Sequence, residues 1–226
     1  MIDEANRHPM RREYDHKKYW HKIIPESTKH TQIMDKTSVT YGSKQTTIEH
    51  NDAKITHEEI QWTLLKLGSD LGLHMWVANN DRNKQFARNQ FQDIPGLLSS
   101  LPIQVNERFT KVIERIDVLW LKEDMVISAF EIEHTTQIYS GLLRMSDLVT
   151  LVPAININLF IVAPDERRND VMGEIQRPTF SRGLKQPLST ICRFIPYSAL
   201  KNEIKAYGPR IKRVPPDFLD DIAESF

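Results

Sequence analysis

The chain has 226 residues, 40% of them hydrophobic and 27% charged, and its 30 basic and 30 acidic side chains give a formal net charge of zero. This suits one large domain, or one domain with an appendage, and bulk charge speaks neither for nor against a nucleic-acid partner. A single cysteine, Cys192, excludes an internal disulfide framework and a cysteine-rich zinc site.

No stretch reaches the length of a membrane span, and the start of the chain, Met1-Ile2-Asp3-Glu4, is polar and charged, unlike a signal peptide. A soluble, reducing, cytoplasmic setting with no membrane partner is therefore expected. Cys192 lies in an apolar run and reads as a small buried hydrophobe.

Residues 1–55 carry few large apolar side chains and no sustained periodicity, so they read as an N-terminal appendage, an arm or a partner-binding segment. Arg11 to Ile24 is expected to form a helix ended by Pro25, and Thr37 to Tyr41 with Gln45 to Glu49 a small hairpin. Five of the eight histidines fall here. They lack metal-site spacing and read as solvated surface groups.

Residues 56–207 carry the patterning of a folded domain. Thr56 is an N-cap with Glu59 in capping-box position, and Ile60, Leu64, Leu67 and Leu71 recur on one helical face before the stop at Gly72. His74 to Ala78 reads as a strand. A loop-rich segment follows to about Pro102, with Pro95-Gly96 as a turn. After the hairpin described below come a helix through Ile138, Leu142, Met145 and Val149, closed by Pro153, and a strand, Ile155 to Ala163, covered on both faces. A charged helix from Pro164 to about Arg177, a strand at Ile191 to Ile195 and a helix at Tyr197 to Tyr207 complete the domain. Residues 208–226, with Pro209, Pro215 and Pro216, are expected as a C-terminal tail in the form of an extended arm. From Asp165 to Arg213 there are 11 Lys and Arg against five Asp and Glu, so this stretch of the chain is basic although the whole is neutral.

Residues 115–135, RIDVLWLKEDMVISAFEIEHT, organise the domain. Two apolar runs, Ile116 to Leu121 and Met125 to Ile132, flank Lys122-Glu123-Asp124 and read as a hairpin of buried strands. Asp117 stands near the start of the first run. Glu131 and Glu133 lie two apart at the end of the second, so a period of two puts both on one face. Three acids converging in apolar strands need solvent, donors or a cation, and a hard divalent metal answers that need.

The element order helix, strand, strand, strand, helix, strand, with Asp117 followed by Glu131-Ile132-Glu133, resembles the PD-(D/E)xK nuclease superfamily over roughly Thr56 to Ala163. The resemblance implies an α/β fold with a restriction endonuclease-like αβββαβ core, its mixed central sheet flanked by helices. It implies an Mg2+-dependent deoxyribonuclease, with Mn2+ as a substitute metal, that hydrolyses phosphodiester bonds of double-stranded DNA. The stretches FEIEHTTQIYSGLLRMSD and VAPDERR are similar to a branch associated with bacterial defence. Two departures stand out: Ile116 replaces the usual proline, and Glu133 replaces the usual lysine, giving the E-x-E form of a minority of restriction endonucleases.

On this resemblance Asp117, Glu131 and Glu133 are the catalytic set, and Asp117, Glu131, the carbonyl of Ile132 and Glu58 on the first helix are the metal ligands. Glu133 is a general base or a second-metal ligand, and its like-charged neighbours should raise its pKa. Gln61, Arg82, His134, Gln137, Tyr139 and Arg144 are the candidate nucleic-acid contacts, with Lys84, Arg88, Arg167, Arg168, Arg177 and Arg182 as weaker ones. Cutting both strands usually takes two active sites, so a homodimer is expected. The missing lysine keeps a second class open, a catalytically inactive nucleic-acid-binding or assembly subunit of the same fold.

Overall fold

The Thr56 side chain accepts the Glu59 N–H at 3.1 Å, and this cap opens helix α1, His57–Asp70, at the position the capping box predicts. In the computed structural model the chain divides into two units, Met1–Asn51 and Asp52–Phe226. The residues it describes are 55–102, 107–134, 138–151, 156–183 and 186–226. The helix and hairpin expected within residues 1–55, and Gln137, lie outside them.

After α1 come strand β1, His74–Val77, a two-residue hairpin of β2, Gln85–Phe86, and β3, Asn89–Gln90, and helix α2, Glu107–Ile113. The acidic hairpin follows as β4, Val118–Lys122, and β5, Met125–Ile132; then come α3, Ile138–Leu151, and β6, Asn158–Ala163. Helices α4, Arg168–Ile175, α5, Pro178–Ser181, and α6, Leu188–Ile191, lead to β7, Cys192–Pro196, and α7, Tyr197–Tyr207. Among the described residues no helix is long and apolar enough to cross a membrane.

Five strands form one mixed sheet in the order β1-β4-β5-β6-β7, antiparallel as far as β5 and parallel from β5 to β7. The direction changes where the connection changes. A two-residue turn, with Glu123 at a left-handed φ of 55°, returns β4 antiparallel into β5, whereas α3 carries the chain across the sheet so that β6 runs parallel to β5.

Alternation sorts the strands onto two cores. Val118, Trp120, Phe130, Ile132, Phe160, Val162 and Ile195 face one way, packed with Ile60, Leu64 and Leu67 of α1 and Leu200 of α7. Leu119, Leu121, Ala129, Leu159, Ile161, Cys192 and Phe194 face the other, with Leu142, Met145 and Leu148 of α3 and Val171 and Ile175 of α4. Gly68 lets α1 close on the sheet: a Cβ there would stand 2.7 Å from Met75 Cγ and 2.8 Å from Trp120 Nε1. The indole N–H of Trp120 in turn donates to the Leu64 carbonyl at 3.1 Å.

One expectation changes. Helix α2 falls in a stretch for which the sequence offers no element, and Pro178, which follows the charged helix, also starts the short helix α5 from its first turn, where a missing N–H costs nothing. The C-terminal stretch is not an extended arm: Ile211, Phe218 and Leu219 are buried in the α1 core, and the chain bridges back to β7 through Phe194 and Glu224.

Candidate active site

The register of β4 against β5 pairs Val118 with Phe130, so the next position out sets Asp117 opposite Glu131 on the α3 face of the sheet. Asp117 is pinned from several sides. Its carbonyl accepts the Ala78 N–H at 3.3 Å and Gln61 Nε2 at 3.1 Å. Its Oδ2 accepts the Ile132 N–H at 2.7 Å, and His57 Nε2 lies 3.4 Å from the same oxygen. The predicted ligand Ile132 thus meets Asp117 through its peptide N–H, and both carboxylate-bearing strands are tied at the point where the acids emerge.

Glu131 is fully buried, and Arg144 of α3 grips its carboxylate with two parallel bonds, Nε to Oε1 at 2.8 Å and Nη2 to Oε2 at 2.5 Å. A two-point guanidinium contact is the strongest partner available to a carboxylate away from water. Burial pushes the Glu131 carboxyl well above its ordinary pKa, the charge of Asp117 adds to this, and Arg144 opposes both. Burial is the largest single influence and works against the Arg144 charge, yet its hydrogen bond to Glu131 together with the charges of Glu131, Asp117 and Glu133 outweighs it, and the guanidinium is held more firmly charged.

Glu133 is 6% exposed and its N–H continues the ladder to the Val162 carbonyl at 2.9 Å. Burial, seconded by the charge of Asp117, raises its carboxyl to about 7 against the opposing pull of Arg144, Arg167 and His57. The raised pKa expected from like-charged neighbours is present, with desolvation as the larger cause. Gly141 of α3 makes room for the pair: a Cβ there would meet Glu133 Oε1 at 2.7 Å and Glu131 Cβ at 3.2 Å.

The first turn of α1 presents a different residue from the expected one. Glu58 is half-exposed and pairs with Lys84 at 3.2 Å, and Glu59 pairs with Lys201 at 2.6 Å. His57 is the residue of that turn set against Asp117. Burial disfavours its protonated ring, but the hydrogen bond and charge of Asp117 outweigh this and raise its pKa above the ordinary value. One turn on, Gln61 is fully buried; its Nε2 also donates to Asp81 Oδ2 at 3.0 Å, and its Oε1 has no partner among the described residues. The i, i+4 spacing of His57 and Gln61 was the available signal, and helix phase hid it.

Other candidates are engaged elsewhere. Arg82 donates to the Leu98 carbonyl at 2.7 Å and lies over the Trp76 ring, so it braces the loop after β1. Tyr139 packs on Phe180 and carries Arg177 over its ring at 4.9 Å. His134 stacks on Tyr197, and the His134 Nδ1 and Tyr197 hydroxyl are both buried without a partner among the described residues, beside a cavity of about 120 Å³. Asp117 and Arg144 instead line a larger cleft of about 510 Å³ with Asn79, Asn80, Asp81, Lys111, Glu114 and Arg115.

The donors at this edge are hard oxygens, which suit Mg2+, an ion that takes one or two carboxylates and keeps several waters. Among the described residues no three His, Cys, Asp or Glu side chains are gathered as a ready metal cluster. With Glu131 held by Arg144, Asp117 is the acid of the predicted set that lines the cleft, beside Asp81 and Glu114.

Residues 38–226 match the model of the type II restriction enzyme NmeDI C-terminal domain. The type II restriction enzyme NmeDI of Neisseria meningitidis serogroup C is 32% identical over 156 residues, covering 66% of this chain and 42% of that protein. The chain therefore spans less than half the length of this curated relative. No solved structure matches.

Proposed function

Because the chain belongs to the family of the type II restriction enzyme NmeDI C-terminal domain, we propose that it is a metal-dependent DNA endonuclease of restriction-like bacterial defence. One arrangement carries this reading: Asp117 faces Glu131 across the hairpin at the wall of a cleft, with Glu133 on the same sheet face and its carboxyl near neutral pKa. The sheet order, with an antiparallel hairpin leading through α3 into a parallel strand, supports a restriction endonuclease-like core of the PD-(D/E)xK type in its E-x-E form.

Mg2+, or Mn2+ in its place, would supply the Lewis acid at the scissile phosphate and acidify a bound water. Asp117 would hold that ion, with Gln61, Ala78 and Ile132 locking its backbone and one oxygen. Glu131, once free of Arg144, and the Ile132 carbonyl would be the further ligands. Glu133 accepts the proton of the attacking water, and a carboxyl near 7 is matched to that task at neutral pH. Double-stranded DNA is the substrate, and a homodimer supplies one site for each strand.

The test is supercoiled plasmid incubated with the full chain and Mg2+ or Mn2+, repeated with Asp117→Ala and Glu131→Ala. Metal-dependent nicking or linearisation lost in both variants supports the reading, and cleavage that survives both sinks the site. A second reading, a nucleic-acid-binding or assembly subunit, draws on Glu133 at the lysine position and on both Glu131 oxygens being held by Arg144. DNA binding without cleavage under either metal would select it.

A further inference from the structure

Arg144 sits between the cleft and Glu131. Arg144 lines the cleft beside Asp117 and its side chain is about a quarter exposed, whereas Glu131 behind it is fully buried and does not line the cleft. Both carboxylate oxygens of Glu131 are taken by Arg144, one by Nε and one by Nη2. A cation entering from the cleft meets Asp117 first and finds Glu131 covered. Arg144 is the partner with room to move, because it borders the cleft whereas Glu131 is fully buried.

The cleft also has what a phosphate would need to draw Arg144 outward. Arg115 and Lys111, the latter in an exposed pair with Glu107, stand at its wall, and Asn80 adds an amide beside Asn79, whose own amide donates to Glu114; Asp81, Glu114 and Asp117 supply the opposing negative charge. A guanidinium binds phosphate and carboxylate with the same two-point geometry, so it can pass from one to the other without losing its hydrogen bonds.

We propose that Arg144 is a positioning residue that covers Glu131 until a DNA phosphate in the cleft takes its guanidinium, which leaves the Glu131 oxygens to the metal. The proposal rests on the nuclease reading above and adds that DNA and metal binding are coupled through this one side chain. Coupling of this kind is reciprocal, so it can be read from the metal side without DNA and from the DNA side without metal.

The experiment has two arms, neither of which measures cleavage. In the first, Mn2+ binding to the full chain without DNA is followed by the loss of free Mn2+ signal in electron paramagnetic resonance. Arg144→Lys keeps the positive charge but cannot hold both oxygens, so its Mn2+ affinity rises about fivefold or more over the parent chain. In the second arm, binding of a short duplex is measured in EDTA. Glu131→Gln releases Arg144 to phosphate and tightens DNA binding; Asp117→Asn removes the same single charge from the same edge without touching Arg144 and tightens it less. Unfolding midpoints check that all three variants are folded. Unchanged Mn2+ affinity in Arg144→Lys, or equal DNA affinities for Glu131→Gln and Asp117→Asn, overturns the hand-over. Failure of the nuclease reading looks different: Asp117→Asn then leaves Mn2+ affinity where it was.

Discussion

Gly141 and Glu133 stand so close that a methyl group on the glycine would lie 2.7 Å from the Glu133 Oε1. The shortest contact is with the far end of a flexible side chain, so the Glu133 carboxylate gives way first, while Glu131 Cβ and Cγ at 3.2 Å need yield by only a few tenths of an ångström. Gly141→Ala also gains up to about 1 kcal/mol of helix propensity, which offsets a mild packing cost of similar size. We predict that Gly141→Ala shifts the urea midpoint little but displaces Glu133, and that cleavage falls by roughly 10- to 100-fold, as misplacement of a reacting group does. Cleavage at the parent rate would show that the position of Glu133 is not critical.

The raised carboxyl of Glu133 makes a second prediction, on stability rather than rate. A carboxyl that ionises at about 7 when folded and near 4.5 when unfolded binds its proton more tightly in the native state. Its contribution is complete below pH 4.5 and is lost as pH climbs through 7, a loss of at most about 3 kcal/mol. Urea unfolding in EDTA at intervals from pH 5 to pH 8 should show parent stability falling relative to Glu133→Gln. Parallel curves would mean that Glu133 is not desolvated as its burial indicates.

Helix phase can be tested at the first turn of α1. Glu58 is half-exposed and its pair with Lys84 has the small worth of a surface ion pair, so Glu58→Ala should leave cleavage within about threefold. His57→Ala removes the group set against Asp117 Oδ2 and should cost more, about tenfold. The opposite ranking would return Glu58 to the metal.

Cys192 is buried against Met145, and burial pushes its thiol up to about 12. The native protein should therefore resist Ellman's reagent at pH 8 and release one thiol equivalent once unfolded in urea. Fast labelling of the native chain would show that β7 opens locally.

The apolar periods carried much of this fold. Ile60 through Leu67 gave α1, Ile138 through Val149 gave α3, and the two runs about Lys122-Glu123-Asp124 gave the hairpin, because each buries one stripe or one face against a continuous core. Asp117, Glu131 and Glu133 could be named because a period of two and a short turn bring them to one face without further information. What escaped was tertiary. Helix α2 has too few turns to show a period. The rotation of α1, which exchanges Glu58 for His57, is set by Gly68 closing on Trp120. No spacing in sequence could show that Arg144, 13 positions from Glu131, would take both of its oxygens. The prolines of the C-terminal stretch suggested an arm, but Ile211, Phe218 and Leu219 anchor it.

The two bridges at the margins of the sheet set a rule for any second copy. Leu97 lies along the outer side of β1 and Glu224 along that of β7, so each outermost strand is blunted by a stretch of its own chain. Through the described sheet, two subunits would not merge into one ribbon and would meet on other surfaces. On the nuclease reading proposed above, a two-fold built that way would hold its two sites at a spacing set by side chains rather than by strand pitch, so the stagger of a cut could change without redrawing the scaffold.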